Sequence, residues 1–305
     1  MSNNTVLLSP QTSGEHQKIR RFKCKKCGID IVTNACKDVV TCDFCETLLN
    51  VPKMDYEDSL NCYVRASNHI DSGNFHNAII EYNKVIESDN TDANAYWLKV
   101  LAKYGVIYDD DNVPSCCRPS YDSIFTDKDY QMAIKNASGI YQKLYFEFDA
   151  IAIDHARNEI VARAEDKKKY DIFICSVSTD TTATTKANEI KHVLSSKGFK
   201  VFYQSKCDPD LDNSSIILSA LHSSKIMIVV GTAPAHFIFT PVNEEWSRFL
   251  QMMENDSSKV LISGYENMTV YKLPNELRKF ASYDLSGRHF LERDVANILR
   301  GNNKK

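Results

Sequence analysis

The feature that most constrains the fold is a regular alternation of short apolar runs and helical segments after residue 169. Four runs have the length and composition of buried β-strands, and they are Tyr170–Cys175, Lys200–Tyr203, Lys225–Val230 and Lys259–Ser263. Helices are predicted over 186–197, 213–222 and 289–300, and the first of them stops at a glycine suited to a C-cap, Gly198. Repeated βα units of this length predict a flavodoxin-like α/β fold, a doubly wound sheet of parallel strands.

The helix that follows the most apolar run carries the best candidate for chemistry. Thr240 suits its N-cap and Pro241 its first helical position, and one apolar face is formed by Val242, Trp246, Phe249, Leu250 and Met253. At about 100° per residue, Glu244 lies nearly opposite that face and is expected to meet bulk water. Glu245 lies roughly 80–90° from the centre of the face, where a helix borders a cleft. A carboxylate there, beside the carboxyl end of a strand, is placed for chemistry. The alternative is that both acids only complement the helix dipole.

Two Cys-x-x-Cys pairs near the N-terminus predict a metal site. Their spacing is Cys-x2-Cys-x14-Cys-x2-Cys, and the four residues are Cys24, Cys27, Cys42 and Cys45. Each pair can form a tight turn that points two thiolates inward, and two such turns complete a tetrahedral zinc site. Because four protein ligands leave no open position, the predicted zinc is structural and the segment is a zinc ribbon. Cys36 is outside this pattern and is interpreted as a bystander.

The bulk composition excludes several classes of partner. The formal charge is −3 over 305 residues, which gives no reason to expect nucleic acid or an anionic membrane as the main partner. No run approaches the roughly 18 apolar residues of a membrane span, and the N-terminus lacks the features of a signal peptide. Ten cysteines arranged as paired ligands and scattered thiols fit a reducing compartment, so a cytoplasmic location is predicted.

The middle of the chain is predicted to be helical. Small residues at Ala66 and Ala78, a turn glycine at Gly73 and an aromatic at Tyr82 resemble one tetratricopeptide repeat. A single repeat cannot form a long groove by itself, so packing or the presentation of a surface to a protein partner is the expected role. The predicted organisation is a disordered tail over 1–20, a zinc ribbon over 21–52, an all-α tetratricopeptide-like module over 53–165 and an α/β domain over 166–305.

The order of the C-terminal elements resembles a TIR (Toll/interleukin-1 receptor) domain. The matching motifs are Tyr170–Cys175, Gly198–Tyr203, Ser219–Gly231 and Val242–Phe249. The whole chain, with zinc ribbon, tetratricopeptide-like helices and C-terminal TIR domain in this order, resembles a group of bacterial TIR proteins. That resemblance implies a role in antiphage defence or signalling and self-association through the TIR domain.

The resemblance also implies an activity. Many bacterial and plant TIR domains cleave NAD between nicotinamide and ribose, with a catalytic glutamate at the end of a Trp-x-x-x-Glu pattern. Carried onto this chain, that residue is Glu245, which the helical geometry also selects. Pro241 stands where the pattern has tryptophan, which removes an aromatic wall beside the glutamate.

Four further residues are candidates to contact NAD as substrate. Ser176, Thr179 and Asp180 follow the first strand, at the edge of the sheet where ligands bind, although they can also form an ordinary polar loop. Trp246 is the fourth candidate, and a core position is the simpler interpretation of it. The loop over 204–213 lacks the glycine usual in TIR domains and looks short.

Three alternatives remain open. A catalytically inactive TIR scaffold that mediates protein–protein interaction keeps the fold and loses the chemistry. A nucleoside deoxyribosyltransferase also uses one glutamate in a similar fold. A phosphoacceptor receiver has a similar sheet but needs clustered aspartates at the end of the first strand, where this chain has Cys175 and Ser176.

Overall fold

Two small β-hairpins form the N-terminal part of the computed structural model, which describes residues 19–203, 213–287 and 290–301. The first hairpin pairs β1 (Ile19–Lys23) with β2 (Asp30–Asn34), and the second pairs β3 (Val39–Thr41) with β4 (Leu48–Asn50). The cysteines of the predicted zinc site share a small core with Phe22 and Ile31. Residues 1–18 of the predicted tail lie outside the described residues, whereas Ile19 and Arg20 already belong to β1.

A mostly helical segment follows, and we refer to Tyr56–Glu165 as the helical module. Its elements are α1 (Tyr56–Asp71), α2 (Phe75–Ser88), α3 (Ala93–Tyr104), β5 (Val106–Tyr108), β6 (Pro114–Cys116), α4 (Lys128–Asn136) and α5 (Ile140–Glu165). Ala66, Ala78 and Tyr82 are buried together where α1 packs against α2. Gly73 takes a φ of +70° in the turn between the two helices, a conformation that glycine adopts without steric strain.

The helical module is not the all-α unit that the sequence predicts, because it contains the hairpin of β5 and β6. The chain turns at Ala137–Gly139 between α4 and α5. Asp127 accepts hydrogen bonds from the backbone of Asp129 and Tyr130 and thereby caps α4.

The C-terminal part is a parallel sheet with helices on both faces, as the sequence predicts, and it has five strands. Its elements are β7 (Ile172–Ser176), α6 (Thr181–Ser196), β8 (Val201–Phe202), α7 (Asn213–Ser223), β9 (Ile226–Gly231), α8 (Pro234–Ile238), α9 (Thr240–Asn255), β10 (Val260–Tyr265), β11 (Ala281–Asp284) and α10 (Phe290–Leu299). The strand order is β11-β10-β9-β7-β8. The chain therefore reverses its direction of winding between β7 and β9, the crevice where sheets of this kind bind ligands. The fifth strand, β11, is absent from the sequence prediction.

Both faces of the sheet are buried, which is why the inner strands β7 and β9 are continuously apolar. On one face Phe173, Met227 and Val229 pack with residues of α8 and α9. On the other face Ile174 and Ile228 pack with residues of α6 and α10. The alternation of side chains along β7 and β9 assigns neighbouring residues to opposite faces.

The helical module packs directly on the sheet domain. Leu218 of α7 belongs to the same buried cluster as Phe146 and Ile160 of α5, and α2 contacts α9. Within the part of the chain that the structure describes, no helix combines the length and the apolar character needed to cross a bilayer.

Gly231, the last residue of β9, gives a direct test of this packing. A β-carbon at this position would lie 2.6 Å from Cε2 and 2.8 Å from Cζ of the fully buried Phe237 ring. We expect Gly231→Ala to destabilise the fold by about 1–3 kcal/mol because the ring has to move within a packed core. The measurement is the urea unfolding midpoint followed by circular dichroism. Gly287→Ala is the control, since an added carbon there has no atom within 4 Å, and equal midpoints for both variants would contradict this packing.

Candidate active site at the carboxyl edge of the sheet

Glu245 lies beside the carboxyl end of the inner strand β7. It is half-buried on the second turn of α9, and the Cys175 thiol acts on its carboxylate. Cys175 is the fourth residue of β7 and is buried. The Glu245 carboxylate thus lies at the carboxyl end of β7, next to the point between β7 and β9 where the winding of the sheet reverses.

The environment of Glu245 changes its acidity. Burial raises the pKa of the Glu245 carboxyl from 4.5 to about 7, although the charge of Arg248 and the hydrogen bond from Cys175 both lower it. Burial, followed by the adjacent carboxylate, raises the pKa of the Cys175 thiol well above 9.0. Because the thiol stays protonated, it serves as a donor to Glu245 rather than as a nucleophile.

The loop after β7 starts with a pair of hydroxyl groups. The Ser176 hydroxyl lies 2.8 Å from the Tyr203 hydroxyl, and Tyr203 directly follows β8. Thr179 is exposed in the same loop. Parallel strands bring their carboxyl ends to one edge, so this pair joins the ends of two neighbouring strands. Tyr203 was not singled out as a site residue from sequence, because its partner comes from a separate βα unit. The loop predicted to be short, 204–213, lies outside the described residues apart from Asn213.

A second polar group connects this loop to the end of β9. Asp180 accepts a hydrogen bond from the backbone of Ala183 at 2.6 Å and so caps α6. The Thr232 hydroxyl donates to the same Asp180 oxygen at 3.2 Å, and the Thr232 backbone donates to Nδ1 of His236 at 3.2 Å. These bonds, led by the one from Ala183, lower the pKa of Asp180. Asp180 therefore fixes the loop through its cap, a role that the Asp-x-x-Ala start of a helix could have indicated.

Trp246 occupies the core position that is the simpler interpretation of it from sequence. It is fully buried, and its indole nitrogen donates to the Phe237 carbonyl at 2.8 Å, so its only polar group is satisfied within the core. His236 is half-buried, and its Nδ1 accepts a hydrogen bond from the Thr232 backbone. Thr232 itself was missed, although its place just after the most apolar strand was a usable signal.

Glu244 does not face bulk water, so the prediction that it is solvated is wrong. Its side chain is 13% exposed and lies 3.1 Å from Nε of Arg118, and it accepts a hydrogen bond from the backbone of His76 at 2.7 Å. Both partners belong to the helical module, which covers the outer face of α9. Glu244 does lie opposite the apolar face of α9, as its position in the sequence predicts. The helical module, rather than water, packs against that side of the helix.

The same side of α9 contributes Arg248 to the junction with the helical module. Its guanidinium donates to the Pro119 carbonyl at 2.8 Å. Burial, followed by the like charge of Arg118, lowers the pKa of Arg248 to about 10. Arg248 is thus held by the helical module and at the same time supplies the positive charge that acts on Glu245.

The four predicted zinc ligands meet in one cluster. All four sulfur atoms lie within 4.8 Å of one another, and the Cys24–Cys45 and Cys27–Cys42 sulfur pairs are each 3.6 Å apart. A tetrahedral zinc with bonds of about 2.3 Å separates its sulfur ligands by roughly 3.8 Å, so the cluster fits such an ion. The two turns are also alike, since the backbone nitrogens of Gly28 and Glu46 bond back to the carbonyls of Cys24 and Cys42. Cys36 is exposed and stands apart.

Comparison with known proteins identifies the C-terminal part of the chain. Residues 169–282 match the family model described as TIR domain. The matched segment spans β7 to β10 and enters β11, so it contains the crevice, Glu245 and the polar groups around it. No curated protein matches the chain significantly.

The cysteine cluster leads to a prediction about metal content. We expect the purified chain to carry about one zinc ion, and Cys42→Ser to remove most of it, because three thiolates hold zinc less tightly than four. Zinc per chain is measured by elemental mass spectrometry. Cys36→Ser is the matched control and should retain the ion. Equal zinc content in the two variants, or none in the wild type, would contradict a zinc site at this cluster.

Proposed function

We propose that the TIR domain of this chain cleaves the bond between nicotinamide and ribose in NAD, with Glu245 as the catalytic residue. The observation that carries the proposal is the position of this carboxylate within a TIR domain. It is half-buried at the carboxyl end of β7, beside the point between β7 and β9 where the winding of the sheet reverses and where sheets of this kind bind ligands. Carboxylates act in this way in glycosidic bond cleavage generally, by attacking C1 or by stabilising positive charge on the sugar.

The chemistry needs few groups. As the C1–N bond breaks, its electron pair leaves with nicotinamide, whose ring nitrogen loses its positive charge. Nicotinamide therefore needs no proton from a general acid. Positive charge develops on the ribose, and the ionised Glu245 faces it. Water then adds to C1, giving an ADP-ribose species and releasing one proton. One carboxylate is sufficient for these steps.

The polar groups near Glu245 are proposed to contact the rest of NAD. Ser176 and Thr179 offer hydroxyl groups at the same edge of the sheet, and Asp180 holds their loop through the cap of α6 and the bond from Thr232. We assign Trp246 to the support of α9 rather than to substrate contact, because it is fully buried with its indole nitrogen already bonded. The zinc in the N-terminal ribbon is proposed to be structural.

The proposed cellular role is defence by NAD depletion or by production of a nucleotide signal. The role rests on the enzymatic proposal and on the resemblance to bacterial TIR proteins with the same order of parts. Self-association through the TIR domain and a protein partner on the helical module are further proposals of the same kind.

A catalytically inactive scaffold is the second candidate. Pro241 is the observation that favours it, because the exposed proline at the start of α9 occupies the position of an aromatic residue in the active-site pattern. A scaffold would keep the TIR fold and its interactions while leaving NAD intact.

The first experiment separates these candidates. We expect concentrated full-length protein to release nicotinamide from NAD, and Glu245→Gln to lower kcat/KM at least about a hundred-fold, the size typical for loss of a group that stabilises transition-state charge. Products are separated by liquid chromatography. Glu254→Gln is the matched control, since Glu254 is exposed on the same helix and the chemical change is identical. Intact NAD with the wild-type protein, or full activity of Glu245→Gln, would leave only the scaffold.

The raised pKa of Glu245 predicts a pH dependence. The reaction needs the ionised carboxylate, so kcat/KM should fall as pH drops through about 7, the pKa of this group in the free protein. The corresponding limb in kcat should lie at lower pH, because the positive nicotinamide ring of bound NAD favours the ionised form. The two profiles are measured by nicotinamide release.

The pH dependence of the free energy of unfolding gives an independent check of the raised pKa of Glu245. The folded protein keeps the Glu245 proton up to about pH 7, whereas the unfolded chain loses it near 4.5. The contribution of Glu245 to wild-type stability therefore falls as pH rises through this window, by up to about 3 kcal/mol. Glu245→Gln lacks this loss and should gain stability relative to wild type between these pH values. A constant difference between the two proteins from pH 4.5 to 8 would contradict the raised pKa.

A further inference from the structure

Helix α5 is apolar on two opposite sides, and only one of them is covered within the described residues. The inner side packs into the core of the helical module through Phe146, Ala150 and Ile153. The outer side carries six large apolar residues that are between 36% and 87% exposed: Ile140, Tyr141, Leu144, Tyr145, Phe148 and Ile151. We refer to these six residues as the outer stripe.

The arrangement of the outer stripe is regular. Tyr141, Leu144, Phe148 and Ile151 follow one another at intervals of three, four and three residues, the spacing that keeps side chains on one face of a helix. It is also the spacing of helices that pair with another helix. A helix with apolar residues on two opposite sides is normally buried on both. Among the described residues, nothing covers the outer side of α5.

The exposed apolar area of the outer stripe is as large as that of a protein–protein interface and larger than that of a typical surface patch on a monomer. Three of its members are aromatic, and an aromatic side chain presents about 150–250 Å² when fully exposed. Weighted by their exposure, the six side chains offer roughly 800 Å², which is about one partner's share of a standard protein interface. The largest apolar patch on a typical monomer covers about 300–600 Å².

We propose that the outer stripe is the contact through which two copies of this chain form a dimer. A two-fold axis places the same surface on both sides, so one stripe of this size supplies a complete standard interface. Lys143 and Glu147 pair within the helix at 3.8 Å, so these two charges beside the stripe offset each other. A membrane surface fits less well, since the stripe lacks the rim of basic residues that attracts anionic lipid.

A dimer formed in this way would also fix the position of two TIR domains. α5 ends at Glu165, close to the start of the TIR domain at residue 169. The Lys169 ammonium bonds to the Ala164 carbonyl at 3.3 Å and to the Ser219 hydroxyl of α7 at 3.2 Å. Pairing of α5 therefore determines the distance between the TIR domains, whether or not these domains cleave NAD.

Sedimentation velocity of the full-length chain over a range of concentrations tests the dimer. We expect the wild type to dimerise, and Phe148→Glu to raise the dimer Kd at least about a hundred-fold, because the charge enters the interface twice. Phe148→Leu should dimerise close to wild type, since it keeps an apolar side chain at the contact. Tyr271→Glu is the matched control, because Tyr271 is 80% exposed outside the outer stripe. Phe148 is itself 68% exposed, so the fold tolerates the substitution, and circular dichroism verifies this.

Three outcomes would overturn the proposal. The first is a wild-type chain that stays monomeric up to roughly 100 μM, well above the Kd expected for an interface of this size. The second is a dimer that Phe148→Glu leaves unchanged, which would place self-association on another surface. The third is a monomer that co-sediments with vesicles of phosphatidylcholine and phosphatidylserine and loses this binding in Phe148→Glu, which would identify a membrane surface.

Discussion

The arrangement of the site depends on the enclosure of α9 between two bodies, the parallel sheet on one side and the helical module on the other. Consecutive residues of a helix point about 100° apart, so Glu244 and Glu245 enter different environments. Glu244 meets Arg118 and the backbone of His76 in the helical module, while Glu245 meets Cys175 at the end of β7. Burial raises the pKa of Glu244 and lowers that of Arg118 in spite of their attraction. Desolvation therefore acts more strongly on both pKa values than the attraction between the two side chains does.

Much of the fold follows from local patterns in the sequence. The central strands β7 and β9 are apolar on both faces, the C-cap glycine Gly198 takes a φ of +90°, and the cysteine spacing anticipates the cluster of sulfur atoms. The elements that escaped prediction are those whose conformation is imposed by partners. β11 is short and mostly polar, and it becomes a strand by pairing with β10 over Ile262–Tyr265. Strand propensity of this kind depends on the neighbouring strand rather than on the residues themselves.

The site shows the same division between local and non-local information. Glu245 could be selected from the phase of one helix, and Asp180 could have been identified as a cap, since both depend on residues within a few positions. The Ser176–Tyr203 pair and the bond from Thr232 to Asp180 join separate βα units, so no local pattern contains them. The error at Glu244 has the same origin. A helical wheel reports which side of a helix is polar, but it does not report whether water or another part of the chain lies there.

These contacts connect the helical module to the candidate site around Glu245. The Pro119 carbonyl holds Arg248, and Arg248 is the charge that lowers the pKa of Glu245 against the effect of burial. Any movement of the helical module that carries Pro119 away would free Arg248 and change the fraction of Glu245 that is ionised near neutral pH. α5 belongs to this same module and packs on α7, so a partner bound to its outer side acts on a body already in contact with α9. The outer side of α5 and the Arg248 contact therefore belong to one continuous packed body.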